Sequence, residues 1–98
     1  MISRVVLVKL KAERLAEREA IAAHARQVLG SLADVVSATV GVPADEASAR
    51  SWDLCFEVRL ADAAALERYG QDPTHRAFVE GYMGPRAEMR KAWNFEVG

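Results

Sequence analysis

The ten residues SWDLCFEVRL, positions 51–60, decide the fold. Trp52, Leu54, Phe56, Val58 and Leu60 lie on one side of an extended chain, and Ser51, Asp53, Cys55, Glu57 and Arg59 on the other. Successive side chains of a strand point to opposite faces. Unbroken alternation therefore reads as a strand with one buried and one polar face. Just upstream, VVSATVGV at 35–42 is β-branched and alternates as well, with Val36, Ala38, Val40 and Val42 on a common face. The polar, proline-bearing PADEASAR at 43–50 reads as the mobile loop between these two strands.

The chain opens with ISRVVLVKL, 2–10, which behaves differently. Ile2, Arg4, Val6, Val8 and Leu10 share one face, and Val5, Leu7 and Lys9 the other. Apolar groups on both sides predict a strand covered on both sides, at least in its middle. Residues 13–32 repeat with a helical period, with Leu15, Ala22, Ala25, Val28, Leu29 and Leu32 on one stripe and Ile21 beside it. Beyond the central strand, Asp62 is placed to cap a short helix through Tyr69 that Gly70 ends. Asp72 caps another, with Pro73 at its first position and Gly84-Pro85 stopping it. MRKAWNFEV, 89–97, alternates again and gives a fourth strand, with RAEMRK at 86–91 as a solvated lead-in.

The order β-α-β-β-α-β predicts an α+β domain over residues 1–98, a ferredoxin-like split βαβ arrangement with a four-stranded antiparallel sheet. Helices cover one sheet face. A chain of 98 residues has no second helical layer for the other, so a homodimer packing sheet against sheet is expected.

Composition narrows the function. A net charge of -1 argues against nucleic acid, because phosphate contacts need an excess of Lys and Arg. The single cysteine allows no internal disulfide and suits a reducing, cytoplasmic setting. An apolar run of four residues, Val5–Val8, is too short for a membrane span or a signal core. The histidines are far apart and no metal-binding spacing or glycine-rich phosphate loop occurs, so neither metal nor cofactor is expected.

The chemistry concentrates in YGQDPTHRAF, 69–78. His75 falls in the first turn of a helix, where the dipole and contact with Phe78 and Val79 disfavour imidazolium. A neutral imidazole is what a general base requires. The competing reading is a histidine at the core edge, bonded to backbone. Tyr69 either donates its hydroxyl to a ligand or to the imidazole, or packs its ring on the sheet. Arg4 either snorkels to solvent or clamps an anion. His24 reads as a boundary residue and Cys55 as a structural thiol, with Asp53, Glu57 and Arg59 on its face as a cross-strand charge set or polar residues at the dimer interface.

Three stretches give this chain a resemblance to the Dabb domain, the stress-responsive dimeric α/β barrel family. They are MISRVVLVKLK, WDLCFEVRLADAAALERYGQDPTHRAF and WNFEV, and the spacing of Tyr69, Pro73-Thr74-His75 and Phe78 is the most specific. The resemblance implies a homodimeric barrel built from two such sheets. It also implies kinship with a branch of cofactor-free polyketide cyclases, in which the residues matching Tyr69 and His75 line the pocket and the histidine is the base. The sequence departs from that branch at Arg4, where those enzymes have histidine, and near Ala25, where they have an aromatic. Two functions are therefore expected. One is a cofactor-independent, cyclase- or lyase-like enzyme on a small keto or phenolic compound, with His75 and Tyr69 catalytic and Arg4, Phe56, Phe78 and Tyr82 binding it. The other is a non-catalytic homodimer, binding a small hydrophobic ligand or associated with stress, in which the same residues only hold structure.

Overall fold

A computed structural model describes residues 1–98. Four strands, β1 (Ile2–Leu10), β2 (Val35–Gly41), β3 (Leu54–Leu60) and β4 (Ala87–Glu96), form one antiparallel sheet in the order β2-β3-β1-β4. This is the α+β, ferredoxin-like topology that the alternation in β3 predicts. Leu54, Phe56, Val58 and Leu60 are all at most 3% exposed, and β1 pairs Val6 with Phe56 and Val8 with Leu54. The even-numbered residues of both strands thus share the face that the helices cover.

The first helix, α1 (Arg18–Ser31), lays Ile21, Ala22, Ala25 and Leu29 on that face. The helical period predicted from residue 13 starts late. Residues Ala12–Glu17 wind as a 3₁₀ turn, whose tighter pitch takes Leu15 off the stripe and leaves it 44% exposed. The segment expected as a loop contains a short helix, α2 (Glu46–Ser51), capped by Asp45, whose Oδ1 accepts the Ser48 amide at 2.8 Å. That helix runs into the start of the predicted central strand, so β3 begins at Leu54.

Asp53 correspondingly joins neither a charge set with Glu57 and Arg59 nor the open sheet face. It is 1% exposed; its Oδ2 accepts the Leu10 amide at 2.8 Å and its own amide donates to the Val8 carbonyl at 2.8 Å. With the Arg18 guanidinium 3.8 Å away, its charge is balanced while it pins the end of β1. In β2 a register shift between Val35 and Ser37 turns Val36 outward, 58% exposed, away from the face of Ala38 and Val40.

The second helical segment is broken as predicted, but not at Gly70. α3 (Ala63–Gln71) runs through that glycine, with Asp62 Oδ1 accepting the Ala65 amide at 2.8 Å. α4 (Pro73–Ala77) starts from Asp72 and passes directly into a π turn, Phe78–Met83. Gly84 closes that turn. A Cβ at Gly84 would stand 2.5 Å from the Glu80 carbonyl oxygen, a backbone atom that cannot swing aside. Gly84→Ala is therefore expected to cost roughly 1–3 kcal/mol by overpacking. Thermal denaturation checks this, and an unchanged Tm would mean the turn relaxes freely. β4 begins at Ala87, so most of the predicted solvated lead-in is itself strand. No helix is long and apolar enough to cross a membrane.

Candidate functional site

Between the helices and the sheet, at the β1–β4 side, lies a cavity of about 90 Å³. Its floor comes from the sheet, with Val6 and Phe56 on neighbouring strands; its roof comes from α4 and the π turn, with Phe78, Val79 and Met83. Phe56 and Phe78 meet with ring centroids 6.1 Å apart, tilted by 47°. The widened π turn brings these three roof residues to one side, a role in which such turns recur at functional sites.

Tyr69 and His75 close the wall. Tyr69, in the last turn of α3, is 3% exposed. His75 follows in α4 and is half-buried. Asp72 sets the link between them, its Oδ1 accepting the Thr74 amide at 2.8 Å and the His75 amide at 3.3 Å. The break in the helix brings the two rings into tilted contact, with centroids 4.0 Å apart at 36°.

Electrostatics keep both groups uncharged near neutral pH. Burial pushes the Tyr69 phenol up to about 12, against an opposing pull from Arg4, so the hydroxyl remains a donor. Burial also lowers the His75 imidazole below its ordinary 6.5, and the guanidinium groups of Arg4 and Arg90 push the same way. Asp72 and the Tyr69 carbonyl oppose them without reversing the shift. Nδ1 of His75 is buried and makes no hydrogen bond, although the Tyr69 backbone lies close enough to favour a proton on the ring.

Arg4 is turned toward the cavity, half-buried, with Nη1 donating to Asn94 Oδ1 across the β1–β4 pair at 3.0 Å. Tyr82 stands elsewhere. It lies behind Phe78, centroids 5.7 Å apart, with His24 at 4.1 Å and the Arg86 guanidinium 3.9 Å over its ring. In a regular α-helix Tyr82 would share a stripe with His75, but the π turn rotates it away from the cavity. His24 belongs to that aromatic stack.

The Tyr69–His75 pair set on this sheet joins the spacing of the most specific stretch to one wall of a cavity. The sequence also matches the Dabb family, the stress responsive A/B barrel domain, over residues 2–97. This chain belongs to the Dabb family. Similar solved structures include a Dabb family protein with a ferredoxin-like fold from Mesorhizobium loti, 24% identical, with a TM-score of 0.82, covering 99% of this chain and 97% of that one. A dimeric ferredoxin-like protein of unknown function from Thermobifida fusca is 18% identical, with a TM-score of 0.81 and coverage of 98% and 90%. A hydroxynitrile lyase from Passiflora edulis is 12% identical, with a TM-score of 0.73 and coverage of 99% and 93%. At these identities the likeness establishes the shared fold. No curated protein matches the sequence.

In this Dabb chain the largest hollow is not the one holding the Tyr69–His75 pair. A depression of about 310 Å³ lies between the uncovered sheet face and the β2–α2 connection, lined by Leu7, Val42, Trp52 and Cys55 among others. Its one titratable group is the Cys55 thiol, which burial and Glu57 push upward, away from a reactive thiolate. It offers no acid, base or activated nucleophile. The residue that sequence reading missed is Arg90, which lines the smaller cavity. It pairs in register with Val8, on the same sheet face as Arg4 and Asn94. Extending the alternation of β4 back from Ala92 would have found it.

Proposed function

We propose that this Dabb protein is a homodimeric, cofactor-independent enzyme that moves protons on a small keto or phenolic compound in a cyclase- or lyase-like reaction. His75 is the general base and Tyr69 the hydrogen-bond donor. The observation that carries this is the Tyr69–His75 pair, rings in contact on the wall of a largely apolar cavity, with the imidazole biased toward its neutral form. In such a step His75 removes a proton from a carbon next to a carbonyl. The C–H electron pair moves into the enolate, whose oxygen accepts a hydrogen bond from the Tyr69 hydroxyl. The new carbanion then adds to a second carbonyl, or the reverse cleavage occurs, and the imidazolium returns its proton. Phe56 and Phe78 exclude water and hold the substrate's apolar part.

The fold is shared with a hydroxynitrile lyase, which supports this class of reaction without naming the substrate. The dimer is supported by the face opposite the helices, where Trp93 and Phe95 on β4 are 45% and 54% exposed beside the half-buried Val5. The dimeric relative from Thermobifida fusca points the same way. A second reading, ligand binding without turnover, is favoured by the cavity's small size, below the roughly 300 Å³ at which drug-sized pockets begin.

Proton exchange separates the two. Butanone, acetoacetate and resorcinol in D₂O are expected to exchange their acidic C–H protons faster with the protein than in buffer, as followed by ¹H NMR. Exchange at the buffer rate for all three would contradict the catalytic reading.

A further inference from the structure

The cavity that holds His75 carries two cations and no acid. Arg4 and Arg90 line it, and no carboxylate side chain does. Most other arginines in the chain are matched: Arg14, Arg18, Arg59, Arg68, Arg76 and Arg86 each have a carboxylate within 4.0 Å. Arg4 and Arg90 have none. Arg4 spends one N–H on Asn94, which fixes its guanidinium and leaves its other donors free. Arg90 stands where the cavity meets an outer groove of about 280 Å³ between the π turn and β4. Glu80 and Glu88 line that groove, yet Glu80 turns to Arg76 at 3.5 Å, and neither forms an ion pair with Arg90.

From this juxtaposition we infer that the ligand of the cavity is a compact carboxylate, a small keto acid, held by Arg4 and Arg90 with its keto carbon beside His75 and Tyr69. The inference rests on the proposed role of the His75 cavity and specifies its substrate. Arg4 and Arg90 reach the cavity from adjacent strands, four register positions apart, and each presents a planar N–H fork suited to a carboxylate oxygen pair. The surrounding Val6, Phe56 and Phe78 lower the local dielectric beside the half-buried Arg4, while Arg90 stays exposed at the mouth. A volume of about 90 Å³, roughly three water volumes, limits the body of the acid to a few carbons, with the groove past Arg90 open to any longer tail. Both arginines also lower the His75 imidazole, an effect a bound carboxylate would partly cancel, drawing the base toward its proton only once substrate is in place.

The test compares acetoacetate with 2,4-pentanedione, which replaces the carboxylate by an acetyl group of similar shape. Binding is measured by NMR titration of the whole protein, following the His75 ring signals. Acetoacetate is expected to saturate and move those signals, and pentanedione to bind at least tenfold more weakly. Arg4→Gln and Arg90→Gln should each weaken acetoacetate roughly tenfold or more and leave pentanedione unchanged. Arg4→Lys should restore part of the loss. Equal binding of the two ligands, acetoacetate binding unaltered in both glutamine variants, or no binding of acetoacetate at all would overturn the carboxylate assignment. The proton-exchange activity and its dependence on His75 are read separately. Their loss would overturn the catalytic reading while leaving Arg-dependent binding intact.

Discussion

The His75→Ala protein is expected to keep its fold and to lose proton exchange on its keto substrates by about 10²–10⁴-fold, the usual contribution of a positioned general base. The fold should survive because His75 is half-buried at the edge of the core and makes no side-chain hydrogen bond, while Phe78 and Tyr69 on either side hold the helices to the sheet. The loss should be large because nothing else lining the cavity can take its place. Its other titratable groups are a phenol pushed up to about 12 and two arginines. Exchange rates in D₂O with near-unchanged circular dichroism check both halves. Full activity in the alanine variant would remove His75 from the mechanism, and collapse of the fold would show it to be a structural residue.

A second large effect is expected on the uncovered face of the sheet. Trp93 and Phe95 project from β4 on the side away from the helices, opposite Val5 and Ser3, and Met89 lies further along at 51% exposure. Aromatic side chains left in water on a strand next to β1 form an apolar patch that a second copy of the same sheet would cover. The wild-type protein is therefore expected to run at twice its 10.8 kDa at micromolar concentration. Replacing both Trp93 and Phe95 by Glu should place four charges in the two-fold interface and give a folded species of single mass. Light scattering behind size-exclusion chromatography distinguishes these. A wild type of single mass would contradict the barrel, as would a double variant of unchanged mass.

Much of this architecture is legible because β3 is buried on one face and half-covered on the other. Its period of two passes unaltered from sequence to structure from Leu54 onward. The errors sit where local hydrogen bonds compete with periodicity. Asp45 caps a helix inside the polar 43–50 stretch, and Asp53 is drawn inward to the free amide of Leu10. Neither a cap nor a buried carboxylate alters the pattern of apolar residues from which strands are read. The π turn is similarly silent. One additional residue per turn moves Tyr82 off the stripe it would occupy in an α-helix, while Phe78, at its start, stays in place.

The site divides in the same way. Tyr69, Asp72, Pro73 and His75 lie close in sequence, and capping chemistry alone fixes their relative placement. Arg4 and Arg90 lie at opposite ends of the chain. They come together only through the β1–β4 register, which periodicity does not specify. Their shared effect on His75 is accordingly a property of the fold.

The central claim is that His75 stands in a ligand-accessible cavity as a neutral imidazole, and its titration tests that most directly. The unfolded ring takes its proton near 6.5, so a lowered folded value means the native protein binds fewer protons just below that pH. Its contribution to stability is then complete above 6.5 and is lost as the pH falls through the folded value. NMR of the two histidine rings, with His75 assigned by its loss in His75→Ala, is predicted to give His75 a midpoint clearly below 6.5, shifting upward when acetoacetate is added. A midpoint at or above 6.5 in the free protein, unmoved by the ligand, would contradict the account.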